Sequence, residues 1–209
     1  MKKIVLTSLV AVFTAASASA ADYFVGGAVS LNLNDEHANV MGIAPEVGWK
    51  YNDNWDFGIG AGFMYNGDLT PADMSMVSDN VTSADLVGTD RYEYGVDLFA
   101  RYKVAQWGNF KLLLKGTVGA DFATYSSDMD AIDGETSIAL GASIAPMVTY
   151  DVSEAFTLYA NLNFMGISAG YTFENEDLKI DDGWNIGLFG DSANVLNTGS
   201  FKIGFLYNF

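Results

Sequence analysis

A two-residue alternation runs through most of this chain and constrains its fold more than any other feature. From residue 22 onward, apolar side chains alternate with small or polar ones, which is the period of a β-strand whose two faces meet different surroundings. The pattern holds over eight segments: Tyr23–Leu33, Met41–Tyr51, Trp55–Tyr65, Tyr92–Val104, Phe110–Thr124, Ile138–Tyr150, Phe156–Phe164 and Gly199–Phe209. The sequence therefore predicts an all-β protein with eight strands.

The first twenty residues follow a different pattern. Two lysines after Met1 are followed by the apolar run Ile4–Phe13 and by the small residues Ala18-Ser19-Ala20. This is the pattern of a secretory signal peptide, with cleavage predicted before Ala21. The apolar run is too short to be a transmembrane helix. We expect residues 1–20 to be the signal peptide and residues 21–209 to form a single barrel domain.

Composition excludes several classes of protein. The 209 residues include no Cys, so a disulfide scaffold, a thiolate metal centre and a cysteine enzyme are excluded. The formal net charge is −16, and no basic stripe exists to neutralise phosphates, which argues against nucleic acid as a partner.

The connections between the predicted strands alternate in length. Three of them are short, around Asp53, Gly108 and Ser153, whereas the joins 34–40, 66–90, 125–135 and 165–198 are longer. Short turns at one end and long loops at the other are typical of an outer-membrane barrel. A soluble lipocalin-like barrel has the same alternation, so this feature alone does not distinguish the two.

Three further features favour the membrane. The eight apolar faces carry no charged residue, although a charge at the bilayer midplane costs roughly 2–4 kcal/mol and a water-facing surface would tolerate several. Aromatic residues collect at both ends of the strands, as in interfacial girdles. The chain also ends in alternating aromatic residues up to Phe209. Together they predict an eight-stranded antiparallel up-and-down transmembrane β-barrel.

One segment does not fit this count. Gly183–Phe189, inside the last long join, also has the pattern of a strand. A ninth spanning strand would put Phe209 on the wrong side of the membrane. The segment is therefore predicted to be a rib above the membrane or half of an extra hairpin in a ten-stranded barrel, and eight strands are favoured.

These residues resemble a known family. Pro45-Glu46-Val47-Gly48-Trp49, the run 54–60 and the closing run 202–209 are similar to small bacterial outer-membrane β-barrel proteins of the OmpA/OmpX-like superfamily. The resemblance implies a monomer in the outer membrane, with periplasmic termini, extracellular long loops, and lipid and lipopolysaccharide around it. It implies no catalytic residue and no cofactor. The closing residues that it marks as a signal to the outer-membrane assembly machinery are Ile203, Phe205, Tyr207 and Phe209.

Charged residues in the predicted strands lie on the face opposite the apolar one, which is the inward face of the predicted barrel. An eight-stranded barrel is only wide enough inside for its own side chains, and buried charges there must pair or reach water. We therefore predict a filled lumen with a salt-bridged network rather than an open pore. The residues of this network are Glu46, Lys50, Asp56, Arg91, Glu93, Asp97, Arg101, Lys103, Lys111, Lys115, Asp121 and Lys202.

Pairs within this network follow from the short turns. Between the fourth and fifth strands, a register that faces Glu93 with Asp121 would oppose like charges, so the register shifted by two is preferred. The resulting pairs are Lys50 with Asp56, Asp97 with Lys115 and Arg91 with Asp121. The same register puts two like charges, Arg101 and Lys111, opposite each other near the wet short-turn mouth.

The leading functional prediction is a non-enzymatic structural or surface-interaction barrel that presents acidic loops. A small porin-like channel, with the inner cations lining a conduit for small anions, is the first alternative. A lipid-modifying enzyme is the second, and it rests on His37 alone. The segment 128–135 misses the calcium-loop pattern because Ile132 stands where the third acid belongs, so no metal site is predicted.

Overall fold

The computed structural model describes residues 22–32, 40–67, 89–127, 133–178, 180–188 and 202–209. Ten strands form one antiparallel sheet, and the only helical turn in these ranges is Asn163–Met165. The strands are β1 (Tyr23–Asn32), β2 (Val40–Lys50), β3 (Trp55–Asn66), β4 (Asp90–Trp107), β5 (Phe110–Ser126), β6 (Thr136–Asp151), β7 (Phe156–Asn161), β8 (Ile167–Thr172), β9 (Gly183–Leu188) and β10 (Lys202–Asn208).

Eight of these strands close into a barrel. The ring runs from β1 through β6 to β7 and β10, and β10 pairs back onto β1 with Val25 opposite Tyr207. The predicted eight-stranded antiparallel barrel is confirmed. Closure gives the backbone N–H and C=O groups of each ring strand partners on both of its neighbours. A membrane-spanning sheet requires this because lipid offers no hydrogen bonds.

Short turns and both described chain ends share one end of the barrel. In the turn before β3, the Asn52 side-chain oxygen accepts hydrogen bonds from the backbone N–H of Asn54 and Trp55, both at 2.9 Å. Gly108 has φ of 58° in the two-residue turn between β4 and β5. Phe209 N–H donates to the carbonyl oxygen of Tyr23 at 3.0 Å, which fixes the C-terminus beside β1.

The seventh predicted strand, Phe156–Phe164, ends early at Asn161, and part of the long join predicted at residues 165–198 forms a further strand, β8. Asn161 pairs with Met147, but Ile167 pairs with Ile144. The chain therefore advances six residues, from 161 to 167, while the paired strand β6 advances only three. The turn Asn163–Met165 contains the extra residues. Beyond it, β8 continues along the same edge of β6 as β7.

The segment predicted as a rib or half-hairpin is a strand, β9, and its hairpin partner is β8. Tyr171 faces Trp184 across this pair. The connection between the two strands is anchored to β6, because Asn175 Nδ2 donates to the Thr136 carbonyl oxygen at 3.0 Å. Leu178 and Ile180, within the connection, are buried. The pair β8–β9 thus adds two ordered strands to the eight of the barrel.

Several predictions concern residues outside the described ranges. These are the signal peptide, His37, the first and second long joins except for their ends, and residues 128–132 of the calcium-loop-like segment. No helix in the described part of the chain has the length and hydrophobicity needed to cross a membrane.

Candidate functional site

The barrel lumen is divided by a layer of large apolar side chains. The inward residues Phe24, Ala28, Phe99, Leu113, Met147, Tyr159 and Leu206 are all buried and form one cluster. The sequence did not lead us to predict this layer, because we treated all inward-facing side chains as small or polar. The signal was present, since each of these residues stands at an inward position of the same two-residue alternation.

Arg101 lies at the centre of this layer. Its side chain is 0% exposed, and its Nη2 lies 2.5 Å from Glu46 Oε1 on β2. Its Cζ is 4.4 Å from the ring centroid of Phe99, 4.9 Å from that of Phe24 and 5.9 Å from that of Tyr159. These distances are in the range of cation–π attraction. The guanidinium is therefore held by one carboxylate and three aromatic rings.

Each of the three rings lies opposite a glycine on the neighbouring strand. Phe24 faces Gly48, Phe99 faces Gly58 and Tyr159 faces Gly204. A Cβ atom at any of these glycines would collide with the facing ring. The glycines on the inward face therefore make the space in which the layer packs.

Replacing Gly58 by Val tests this requirement. The new side chain would displace the Phe99 ring from its contact with Arg101, so we expect a loss of about 1–3 kcal/mol of unfolding free energy. Gly62 on the same inward face of β3 has no atom within 4 Å of its Cβ position, so Gly62→Val should change stability by about 0.5 kcal/mol or less. Urea unfolding in lipid vesicles would measure both variants. Equal losses would show that the ring does not depend on the glycine.

The observed register between β4 and β5 differs from the predicted one. Arg101 lies directly opposite Lys115, and Asp97 lies opposite Gly119. The predicted register, which set Asp97 opposite Lys115, Arg91 opposite Asp121 and Arg101 opposite Lys111, is therefore wrong. An irregularity between Lys103 and Ala105 shifts the pairing by one residue. The two like charges are tolerated because Glu46 contacts both, with Lys115 Nζ 3.3 Å from its Oε2. Glu46 on β2 thus pairs with cations on β4 and β5, neither of which neighbours β2.

Above the layer, toward the long-loop end, the lumen contains a cavity of about 80 Å³, here called the upper chamber. At its rim Arg91 Nη2 lies 3.0 Å from Glu93 Oε1. Arg91 also lies 5.8 Å from the ring centroid of Tyr125, which is buried. The charged residues lining the chamber are Glu46, Glu93, Asp97, Lys115, Asp121 and Lys202.

Below the layer, at the short-turn end, lies a second cavity of about 330 Å³, here called the lower chamber. Lys111 Nζ is 2.6 Å from Asp151 Oδ2, and Thr157 donates to the other oxygen of this carboxylate at 2.9 Å. Lys103 Nζ donates to Gln106 Oε1 at 3.3 Å. Lys50 lies opposite Asp56, which is the register predicted for this pair. The two chambers share no lining residue, so the predicted single network is divided into two by the apolar layer.

The outer face of the barrel has the opposite character. Leu98 is 58% exposed, and Ile59 and Val118 are exposed beside it. Aromatic pairs bound this apolar zone on both sides, with Trp55 against Tyr102 toward the short turns and Phe63 against Tyr94 toward the long loops. Between these two aromatic rows, the outward positions of the described strands carry no charged residue. A closed ring of strands whose apolar outer surface lies between two aromatic rows is typical of a barrel embedded in lipid.

The fold is that of a small outer-membrane β-barrel. The predicted assembly-signal residues stand on its outer face: Ile203, Phe205 and Tyr207 are on β10, and Phe209 follows directly, with its ring 5.1 Å from that of Tyr207. No group of three or more acidic or histidine side chains in the described ranges is arranged to hold a metal ion.

Comparison with known proteins gives fold-level likeness to solved structures. A major outer membrane protein from Thermus thermophilus is similar at 15% identity and a TM-score of 0.49, over 91% of this chain and 100% of that one. Neisserial surface protein A is similar at 14% identity and a TM-score of 0.45, over 90% of this chain and 91% of that one. The attachment invasion locus protein Ail of Yersinia pestis is similar at 15% identity and a TM-score of 0.41, over 90% of this chain and 97% of that one.

No family model and no curated protein sequence matches the chain. At these identities and scores, no residue role transfers from the similar barrels, and the functional proposals below rest on the geometry of the chain itself.

Proposed function

We propose that this outer-membrane barrel is non-enzymatic, does not conduct, and serves as a rigid anchor for acidic loops that act at the cell surface. The observation that carries the proposal is the apolar layer around Arg101, which separates the two chambers of the lumen. A conducting barrel needs a continuous wet path, whereas here Met147 is fully buried and Phe99 and Tyr159 nearly so.

We infer the orientation from the general layout of such barrels. The short turns and both described ends lie at one mouth, and the strand ends that lead into the long joins lie at the other. Because the short turns of an outer-membrane barrel face the periplasm, we propose that the long joins lie outside the cell. Those joins carry most of the acidic residues of the chain. Since binding residues concentrate on loops carried by a rigid scaffold, the long joins are the proposed interaction surface.

Single-channel recording in a planar phosphatidylcholine bilayer tests the closed lumen. We expect the folded barrel to give no steps above the bilayer background. Phe99→Ala removes the ring that contacts both Arg101 and Lys115, and we expect it to produce discrete, salt-dependent openings. Phe122→Ala is the matched control, because Phe122 lies on the outer face. Steady openings of the unmodified barrel would replace this proposal with the porin-like one.

The enzyme alternative depends on His37, which lies outside the described residues. It predicts hydrolysis or acyl transfer on lipid A that is lost in His37→Ala. We propose no catalytic role for it, because no other feature of the chain supports one.

A further inference from the structure

The outer face of the barrel has an apolar groove beside the β8–β9 hairpin, here called the outer groove. Its volume is about 690 Å³, and none of the described residues that line it is charged. Side chains of β4 and of β9, four strands apart in the sheet, border the same groove, so the outer face is concave between them. The large apolar residues along it are 46–74% exposed: Leu98, Val118, Ile144, Ile167, Ile186 and Leu188.

Small residues leave open space between these large side chains. Ala100 lies opposite Gly116, and Ala142 lies opposite Ala169. A Cβ atom at Gly116 would lie 3.9 Å from the nearest atom of any described residue other than its chain neighbours. Atoms that line an empty space lose their dispersion contacts on that side. The groove is therefore more stable when apolar atoms fill it.

The groove lies at the depth of the apolar zone of the barrel. On β4, Leu98 stands midway between the two aromatic rows. On the hairpin, the ring of Tyr171 lies 5.3 Å from that of Trp184 and 5.2 Å from that of Phe173, and these rings stand toward the long-loop end. From Trp184, β9 runs toward the short-turn end, where Ile186 borders the groove. The groove thus continues the lipid face of the barrel.

We propose that the outer groove binds an acyl chain of a lipid from the surrounding bilayer. The groove has no charged side chain among its described residues to hold a head group, so the chain is the part that it recognises. Its volume corresponds to about twenty water-sized groups of roughly 30 Å³ each, which suits an extended hydrocarbon chain.

The binding comes from shape. Lipid tails are as apolar as the side chains of the groove, so contact between them gains packing rather than hydrophobic transfer. On the convex part of the outer face a lipid chain contacts the protein on one side. In the outer groove the chain contacts β4, the small residues of β5 and β6, and β9 together. A chain in the groove should therefore stay longer than the other lipids around the barrel.

Trp184 reports whether the hairpin lies in lipid. The other three tryptophans, Trp49, Trp55 and Trp107, are replaced by Phe, so that only Trp184 fluoresces. The folded barrel is reconstituted in vesicles of phosphatidylcholine with brominated acyl chains, which quench tryptophan on contact. We expect strong quenching relative to vesicles of unbrominated phosphatidylcholine. Equal fluorescence in the two lipids would overturn the proposal, because the hairpin would then lie outside the hydrocarbon.

Native mass spectrometry tests the binding itself. The barrel is extracted from phosphatidylcholine vesicles in mild detergent and released from the micelle in the instrument. We expect a species with one bound phosphatidylcholine that persists at collision energies that remove the other lipids. The absence of this species would overturn the proposal. A dimer of the chain in its place would also overturn it, because the groove would then be a protein interface.

Two variants localise the bound lipid. Gly116→Leu fills the open space above the glycine, and we expect the one-lipid fraction to fall about fivefold or more, because the chain loses the contacts of several carbon atoms. Ala120→Leu is the matched control, since Ala120 stands on the same strand outside the groove, and it should leave the fraction unchanged. If Gly116→Leu does not fold, as judged by electrophoretic mobility without heating, Ala142→Leu replaces it. Equal fractions in the folded groove variant and the control would overturn the assignment.

Discussion

Glu46→Gln is expected to be the most destabilising isosteric substitution in the lumen. The variant keeps the shape of the side chain but removes the only carboxylate, among the described residues, within ion-pair distance of the fully buried Arg101 guanidinium. Asp56 faces Arg101 across β3 and β4 but is not within that distance. Removing one member of a buried ion pair typically costs about 3–5 kcal/mol, most of it from the uncompensated charge. The three rings around Arg101 attract its charge but do not neutralise it.

The matched control is Glu93→Gln. Glu93 is also buried and also pairs with an arginine, but the side chain of Arg91 is 24% exposed at the rim of the lumen. Water replaces the lost partner there, so we expect a loss of about 1 kcal/mol or less. Urea unfolding in phosphatidylcholine vesicles, followed by electrophoretic mobility without heating, would give both values.

A double variant separates charge from packing. Glu46→Gln combined with Arg101→Met removes the buried cation together with its partner, so it should be more stable than Glu46→Gln alone. Replacing a buried ion pair by apolar groups is often neutral or stabilising. Lys115 loses Glu46 in both variants, but its side chain is 17% exposed and reaches the upper chamber. A double variant less stable than the single one would mean that Arg101 acts through its volume rather than its charge.

The outer face and the ring of strands were predictable because one physical rule governs both. A side chain two residues along a strand returns to the same face, so the alternation at Ile59, Leu98 and Val118 marks the lipid side regardless of register. The number of ring strands then follows from the count of such segments. The same alternation also places Phe24, Phe99 and Tyr159 on the inward face, so the apolar layer could have been predicted from the sequence.

The pairing of Glu46 was not predictable from neighbouring strands. The prediction assumed that each charge seeks its partner on the next strand, but Glu46 on β2 reaches across the lumen to Arg101 on β4 and Lys115 on β5. A barrel this narrow brings strands that are not neighbours within ion-pair distance. The shift between Lys103 and Ala105 was also not predicted, because it lies at the end of the predicted strand Tyr92–Val104, where the alternation stops.

The break between β7 and β8 was missed for a related reason. Ile167, Ala169 and Tyr171 do alternate with small or polar residues, but the turn at Asn163–Met165 separates them from the preceding strand. The prediction ended the seventh strand at Phe164 and did not assign the alternation that follows the turn, although β9, which has the same length as β8, was predicted to be a strand. The pairing of β9 depends on β8, so that pairing was missed as well.

Placing arginine at Leu98 should decide directly whether the outer face contacts lipid. Leu98 is 58% exposed and lies midway along β4 between Tyr94 and Tyr102, which belong to the two aromatic rows. An arginine near the bilayer midplane of an outer-membrane barrel costs about 2–4 kcal/mol. We therefore expect Leu98→Arg to lower the unfolding free energy in vesicles by this amount.

The control for this prediction is Val152→Arg. Val152 is 53% exposed, similar to Leu98, but it stands in the short turn after β6, beyond the aromatic Tyr150. Near the interface the cost of an arginine falls to about 0–1 kcal/mol. The comparison holds exposure and substitution nearly constant and changes only the depth, so the difference between the variants measures the bilayer itself. If both variants lose the same small amount, the apolar face is in water and the barrel is a soluble one, because only a lipid environment makes the cost depend on position along the strand.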